Sequence, residues 1–258
     1  MSAALLEVDA ISRRFGGLNA LKDVSFSISA GEIVGLIGPN GAGKTTCFNV
    51  VSGVMSPSAG AIRFEQRSIV GKKPSAIVSE GLVRTFQATT IFPEATVIEN
   101  VMRGAFATTP VSMLGSILNT RAARAALSAT RSRCELLLER LSLLQFRQRR
   151  AGELSYGGQR RLGVAIALAA RPKLLMLDEP VAGLNPEEAA DFGRLIKDLH
   201  KTENISVLLV EHHMRLVMGL CDRLVVLDHG EKIAEGVPAE IRANRSVIQA
   251  YLGAEEAA

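Results

Sequence analysis

Apolar and polar positions along this chain alternate in three different ways. Glu32-Ile33-Val34-Gly35-Leu36-Ile37, Lys173-Leu174-Leu175-Met176-Leu177 and Ile205-Ser206-Val207-Leu208-Leu209-Val210 are nearly continuous apolar runs, each ending at a glycine or at acids. Short runs of this kind predict strands, and the first has the look of a strand buried in a parallel sheet. Leu5 to Ser12, Val24 to Ile28 and Ala61 to Phe64 predict strands of a separate antiparallel lobe, divided by glycine-containing turns. From about Thr96 to Ala170 the spacing becomes helical, through Val97 to Met102, the Ala/Arg/Leu-rich stretch Thr120 to Leu144, and Leu162 to Ala170. Thr120 to Leu144 is expected to serve mainly as an amphipathic scaffold with a solvated arginine face. Arg223 to Gly236 predicts a hairpin with a glycine turn, and a short helical tail ends near Tyr251-Leu252-Gly253.

The chemistry is concentrated where apolar runs stop. After Ile37 comes Gly38-Pro39-Asn40-Gly41-Ala42-Gly43-Lys44-Thr45-Thr46, and the chain then continues as a helix through Val51. Glycines let successive backbone N–H groups converge on phosphate oxygens at a helix N-terminus, where the helix dipole also favours negative charge. In such a loop Lys44 reaches the β- and γ-phosphates and the Thr45 hydroxyl serves Mg²⁺. The run Leu174 to Leu177 ends in Asp178-Glu179-Pro180, which puts two carboxylates at the carboxyl end of a strand, where parallel sheets gather ligands. Asp178 suits the Mg²⁺ shell, and Glu179 suits a general base acting on the attacking water.

Leu154-Ser155-Tyr156-Gly157-Gly158-Gln159 precedes an apolar helix and this acidic strand. Here the chain resembles the ABC ATPase family, whose signature reads Leu-Ser-Gly-Gly-Gln. Tyr156 stands at the first glycine and Gly158 at the glutamine, while Ser155 and Gly157 keep their places. A small hydroxyl and bare backbone at a helix N-terminus still make an anion site, and Ser155 is also placed to cap the helix.

The resemblance implies an α/β fold: a P-loop NTPase (RecA-like) core with an antiparallel β lobe and a helical ABC signature subdomain. It implies one ATP-binding domain over residues 1–258, the helical subdomain lying at about 96–170. Residue by residue, it places Phe15 against adenine. Gln87, in Arg84-Thr85-Phe86-Gln87, falls near Mg²⁺ and the water, and His212 near the γ-phosphate. His213 is its neighbour, and His212 is favoured because it comes first after Glu211. ATP would be held between the phosphate loop of one cassette and Ser155 and Gly157 of another. Asn185, at the loop where many relatives carry aspartate, is expected to make a polar contact across that dimer.

Arg14-Phe15-Gly16-Gly17-Leu18, Thr96-Val97-Ile98-Glu99-Asn100-Val101, Ala182-Gly183-Leu184-Asn185-Pro186 and Tyr251-Leu252-Gly253 narrow the resemblance to the LivG-type ATPases of branched-chain amino acid importers. That similarity implies two transmembrane permeases, a second ATPase of LivF type or a second copy of this chain, and an extracytoplasmic substrate-binding protein. An importer of other hydrophobic amino acids, a urea or amide importer, a lipid or lipopolysaccharide exporter and a soluble ABC ATPase are the other readings.

Composition fits a globular ATPase and excludes little else. The 258 residues are 47% hydrophobic and 22% charged, with a formal net charge of +4. Basic residues are scattered, without long runs or interleaved aromatics, so nucleic acid is not an expected partner. Cys47, Cys134 and Cys221 lack paired or metal-like spacing, and reduced thiols are expected. Cys47, just beyond the phosphate loop, is either a target whose alkylation blocks nucleotide or a buried, inert thiol. Met1 to Glu7 lack the pattern of a signal peptide, and Leu162 to Ala170 is far too short to span a bilayer, which takes about 20 residues. A peripheral place on the cytoplasmic face of the membrane, through the permeases, is expected.

Overall fold

The computed structural model describes residues 4–85, 91–108 and 120–255. Strands β1 (Leu6–Phe15), β2 (Leu18–Ile28), β4 (Ala59–Phe64) and β5 (Arg67–Ser68) pair antiparallel in the order β2-β1-β4-β5. Strands β3 (Ile33–Ile37), β6 (Leu82–Arg84), β7 (Leu174–Asp178), β8 (Ser206–Val210), β9 (Arg223–Asp228) and β10 (Glu231–Gly236) form the second sheet, ordered β10-β9-β3-β8-β7-β6. All its pairings are parallel except that of β9 with β10.

The period of two in a strand sorts the apolar runs between two cores. Val34, Leu36, Leu174, Met176, Leu208 and Val210 face a core shared with the antiparallel sheet and with helix α1 (Lys44–Val51). Ile33, Ile37, Leu175, Leu177, Val207 and Leu209 face the opposite core, filled by helices. Every residue of β3, β7 and β8 is buried, which is why these strands read as unbroken apolar runs rather than alternating ones. Because the three run parallel, Gly38, Glu179 and Glu211 all follow at one edge of the sheet.

The remaining helices are α2 (Pro74–Glu80), α3 (Val97–Gly104), α4 (Arg121–Arg140), α5 (Tyr156–Ala169), α6 (Pro186–Glu203), α7 (Met214–Leu220), α8 (Pro238–Ala243) and α9 (Arg245–Glu255). Thr96 and Glu99 form a capping box that starts α3, and the Thr120 side chain caps α4. Helices α3, α4 and α5 bury Val101, Leu137, Leu138, Leu162 and Ala165 in the helical core. No helix among the described residues is long and apolar enough to cross a membrane.

Several boundaries differ from those the hydrophobic pattern suggests. Strands β1 and β2 run on to Phe15 and back to Leu18, because β-bulges between Val8 and Arg14 interrupt the alternation that would mark them. Helix α4 stops at Arg140, and the chain turns at Ser142, whose φ of 58° no helix can continue. Short 3₁₀ turns at Leu144–Phe146 and Ala151–Glu153 then carry it to the signature. Helices α2, α6 and α7 and strands β5 and β6 lie outside the elements that the hydrophobic pattern predicts. The hairpin of β9 and β10 turns at His229 and Gly230, both with positive φ.

Candidate nucleotide site

Helix α1 begins without a side-chain cap, at Gly43 with φ 97°. A Cβ there would stand 2.6 Å from the Ala20 carbonyl oxygen, so glycine is required twice over, by conformation and by space. The loop is braced from outside: Gly230 N–H donates to the Ala42 carbonyl (3.1 Å) and Lys22 N–H to the Gly230 carbonyl (2.8 Å). Lys44 Nζ donates to the carbonyls of Gly38 (2.7 Å) and Pro39 (2.8 Å), folding the ammonium over its own loop. Burial pulls this ammonium below its ordinary pKa, and the Glu179 carboxylate opposes that shift.

Around the loop lies a cleft of about 610 Å³, lined by Phe15, Leu18, Asn40 to Thr46, Glu179 and the hairpin turn at His229 and Gly230. Its apolar side is Phe15, 43% exposed, with the Arg13 guanidinium 4.8 Å from the ring centroid. An aromatic ring backed by a cation and open on its other side is suited to stacking a flat base. Backbone amides, a lysine and a hydroxyl at a helix N-terminus form the other side. This donor set fits a polyphosphate.

At the acidic edge, Glu179 has φ 43°, an uncommon backbone for a side chain with a Cβ. Its N–H is tied to the Val210 carbonyl at 2.9 Å. His212 Nδ1 stands 3.8 Å from Glu179 Oε1, on a side chain 61% exposed. His213 is turned elsewhere; it precedes α7, and its Nδ1 is buried without a hydrogen-bond partner. Asp178 lies deeper. Its Oδ2 accepts from Arg84 Nη2 at 2.8 Å, and Arg84 also donates to Asn49 Oδ1 (2.5 Å) and packs over Phe48. Burial raises the Asp178 carboxyl above its ordinary pKa, while Arg84 pulls it down.

Ser155 and Gly157 do not line the cleft. Ser155 caps α5, its Oγ accepting from Gly158 N–H at 3.2 Å. Tyr156 is exposed, and Arg160 stacks on its ring (4.8 Å) and hydrogen bonds to its hydroxyl. The start of α5 therefore abuts the loop at Gly183 and Leu184, not the phosphate loop. Asn185 caps α6 through a box with Glu188, its Oδ1 accepting from Glu188 N–H at 2.9 Å.

The ABC transporter family matches residues 21–182, and the branched-chain amino acid ATP-binding cassette transporter family matches residues 231–257. The chain belongs to the ABC transporter family. It is similar to the high-affinity branched-chain amino acid transport ATP-binding protein LivG of Salmonella typhimurium, 45% identical over 98% of this chain and 99% of that one. BraF of Pseudomonas aeruginosa, described in the same terms, is 42% identical over the same shares. Among solved structures, the ADP conformation of an ATP-binding cassette of an ABC transporter superposes with a TM-score of 0.84 at 30% identity, covering 98% of this chain and 100% of that one. The chain is thus an ATP-binding, ATP-hydrolysing subunit of a membrane-associated ABC transporter.

Within this ABC ATPase, one candidate, Gln87, lies outside the described residues. Two further charged residues belong to the site. Arg84 braces Asp178, and Glu211, immediately before His212, is fully buried. In both cases the signal in the sequence is a charged residue at the end of an apolar strand or directly after it. Cys47 is buried, and burial pushes its thiol up to about 12, which favours the inert alternative.

Proposed function

We propose that this chain is the ATP-hydrolysing subunit of an importer for branched-chain amino acids. It would sit at the cytoplasmic face of the membrane beneath two permeases and work as half of an ATPase dimer with a LivF-type partner. The observation that carries the solute class is the pairing of a branched-chain-specific C-terminal match with relatives of that name along 98% of the chain. The carrying observation for the chemistry is the cleft that unites Phe15, the phosphate loop and Glu179.

In this reading adenine stacks on Phe15 while the amides of Gly38, Pro39, Asn40, Gly41, Ala42, Gly43, Lys44, Thr45 and Thr46 surround the phosphates, with proline contributing shape rather than a donor. Lys44 exchanges its two loop carbonyls for phosphate oxygens. The Thr45 hydroxyl, Asp178 and Gln87 would hold Mg²⁺; a hydroxyl, a carboxylate and an amide oxygen are hard donors, and few protein ligands suit this ion. Bound there, the cation would neutralise charge on the phosphates. Glu179 orients and partly deprotonates the attacking water, and His212 contacts the γ-phosphate. Ser155 and Gly157 serve the nucleotide held by the partner cassette, which agrees with their distance from this chain's own cleft. Closure of the pair would swing the helices between Val97 and Ala169 and switch the permeases.

The test uses Glu179→Gln. We expect the variant to bind ATP normally while turnover falls about 100-fold or more. Trapped with ATP in its own cells and gently solubilised, it should carry with it two permeases and a second, related ATPase. A binding protein encoded with them should retain leucine, isoleucine or valine. Wild-type turnover would sink the assignment of Glu179, export-bridge subunits would move the chain to lipid export, and only soluble partners would end the transport reading.

A further inference from the structure

Glu211 is the most deeply buried acid among the described residues, with 0% exposure, yet it immediately precedes His212. Its Oε1 accepts from Val181 N–H at 3.1 Å. Its Oε2 accepts from His212 N–H at 3.1 Å and from His213 N–H at 3.2 Å. Among the described residues, no Lys or Arg forms an ion pair with it, and the nearest basic side-chain atom is His212 Nδ1, 4.0 Å from Oε2. A buried carboxylate held by three backbone amides is therefore a cross-link between two loops.

Those two loops are the ones that leave the acidic edge of the sheet. Val181 is two residues past Glu179, where the chain must recover from a left-handed turn. Strained backbone persists only where its surroundings over-determine it. Here the strain is pinned on both sides, by Glu179 N–H on the Val210 carbonyl and by Val181 N–H on Glu211. Both anchors belong to consecutive residues of the same strand end, Val210 and Glu211, and the next residue is His212.

We propose that Glu211 is a positioning residue for ATP hydrolysis, which locks the Glu179 turn and the His212 backbone into one rigid unit so that base and histidine keep their spacing. The proposal rests on Glu179 and His212 acting as described above. It touches neither nucleotide nor water and acts only through the two residues it holds.

Glu211→Gln separates this role from folding. A glutamine keeps the shape and one acceptor oxygen, but its NH₂ must then face one of the amides it should receive. The oxygen that satisfies His212 and His213 leaves Val181 facing a donor. The test is a double-mutant cycle with Glu179→Gln, combined with amide hydrogen exchange. Expected are a kcat about tenfold lower for Glu211→Gln, KM for MgATP within about twofold, and less than about a twofold further loss when it is added to Glu179→Gln. In the same variant, without nucleotide, the Val181 amide should exchange faster.

Equal losses in both backgrounds, or an unchanged Val181 amide, would overturn the proposal. Wild-type turnover by Glu179→Gln and His212→Ala would remove the underlying reading, and would do so in proteins where Glu211 is intact, so the two failures are distinguishable. Should Glu211→Gln not fold, Glu211→Asp, one methylene too short to span both loops, takes its place in the same cycle.

Discussion

Helix α1 starts at a left-handed glycine with no side-chain cap, while helix α5 starts at Ser155, whose hydroxyl caps it in the ordinary way. The first start lies inside a cleft with its lysine folded over it and an aromatic ring and a carboxylate nearby. The second is exposed, flanked by Tyr156, and is separate from that cleft. Both present backbone N–H groups and a positive dipole end. One chain thus surrounds only the first with the groups a nucleotide needs, and the second fits an anion brought by another molecule. On the dimer reading, affinity resides in α1 and turnover needs α5 as well.

The sharpest way to break that contrast is to damage each end separately. Lys44→Ala should weaken ATP binding by about 100-fold, the value of two or so lost charge-assisted hydrogen bonds, and hydrolysis should go with it. Ser155→Arg, which fills the α5 end with bulk and charge, should leave the affinity of the isolated chain within about twofold. Its turnover should still fall about 100-fold. Equilibrium titration with a fluorescent nucleotide, alongside phosphate release, reads both. If Ser155→Arg weakens binding as much as Lys44→Ala, the two ends share one site and the division is wrong.

Stability offers a second contrast. At Gly43 an alanine must adopt φ 97° with its Cβ against the Ala20 carbonyl, and Gly43→Ala should cost about 2–4 kcal/mol. Ser155→Ala removes one cap and should cost about 1 kcal/mol. Denaturant midpoints at constant slope would give both values. Equal costs would mean that the phosphate loop relaxes around the new methyl group, and that its glycine is there for function alone.

The positions around the cleft can be picked out of the chain because each lies just past an apolar run, and a parallel sheet brings such ends together. What the sequence hides is which groups partner them. Arg84 and Asp178 are 94 positions apart and meet only because β6 lies beside β7. Glu211 reads as an ordinary polar residue after a strand, since nothing local says that Val181 will turn back toward it. The bulged pair β1 and β2 is hidden for another reason. Ala10 and Asp23 both have positive φ, so Arg13, Arg14 and Asn19 fall out of the two-residue rhythm although their backbone stays paired.

The smallest effect concerns where the cleft ends. Thr45 is exposed to it, yet Cys47, two residues on, faces the core with no exposed surface. Burial pushes its thiol up to about 12, from an ordinary 9.0. Since the thiolate is the nucleophile, a maleimide at pH 8 should leave native Cys47 unmodified and ATP binding intact, and should label it once the chain unfolds. The sign of the linked stability follows. The folded chain holds a proton that the unfolded chain releases near pH 9, so unfolding is favoured as pH rises from there toward 12. For each such thiol the slope approaches about 1.4 kcal/mol per pH unit. Cys221, also pushed up to about 12, adds to the same slope. Removing one group with Cys47→Ala should lower stability at pH 8 through the lost packing, and should make its decline between pH 9 and 10.5 shallower. An undiminished decline would mean that Cys47 reaches solvent, and then the cleft would extend past Thr46 into the first turn of α1.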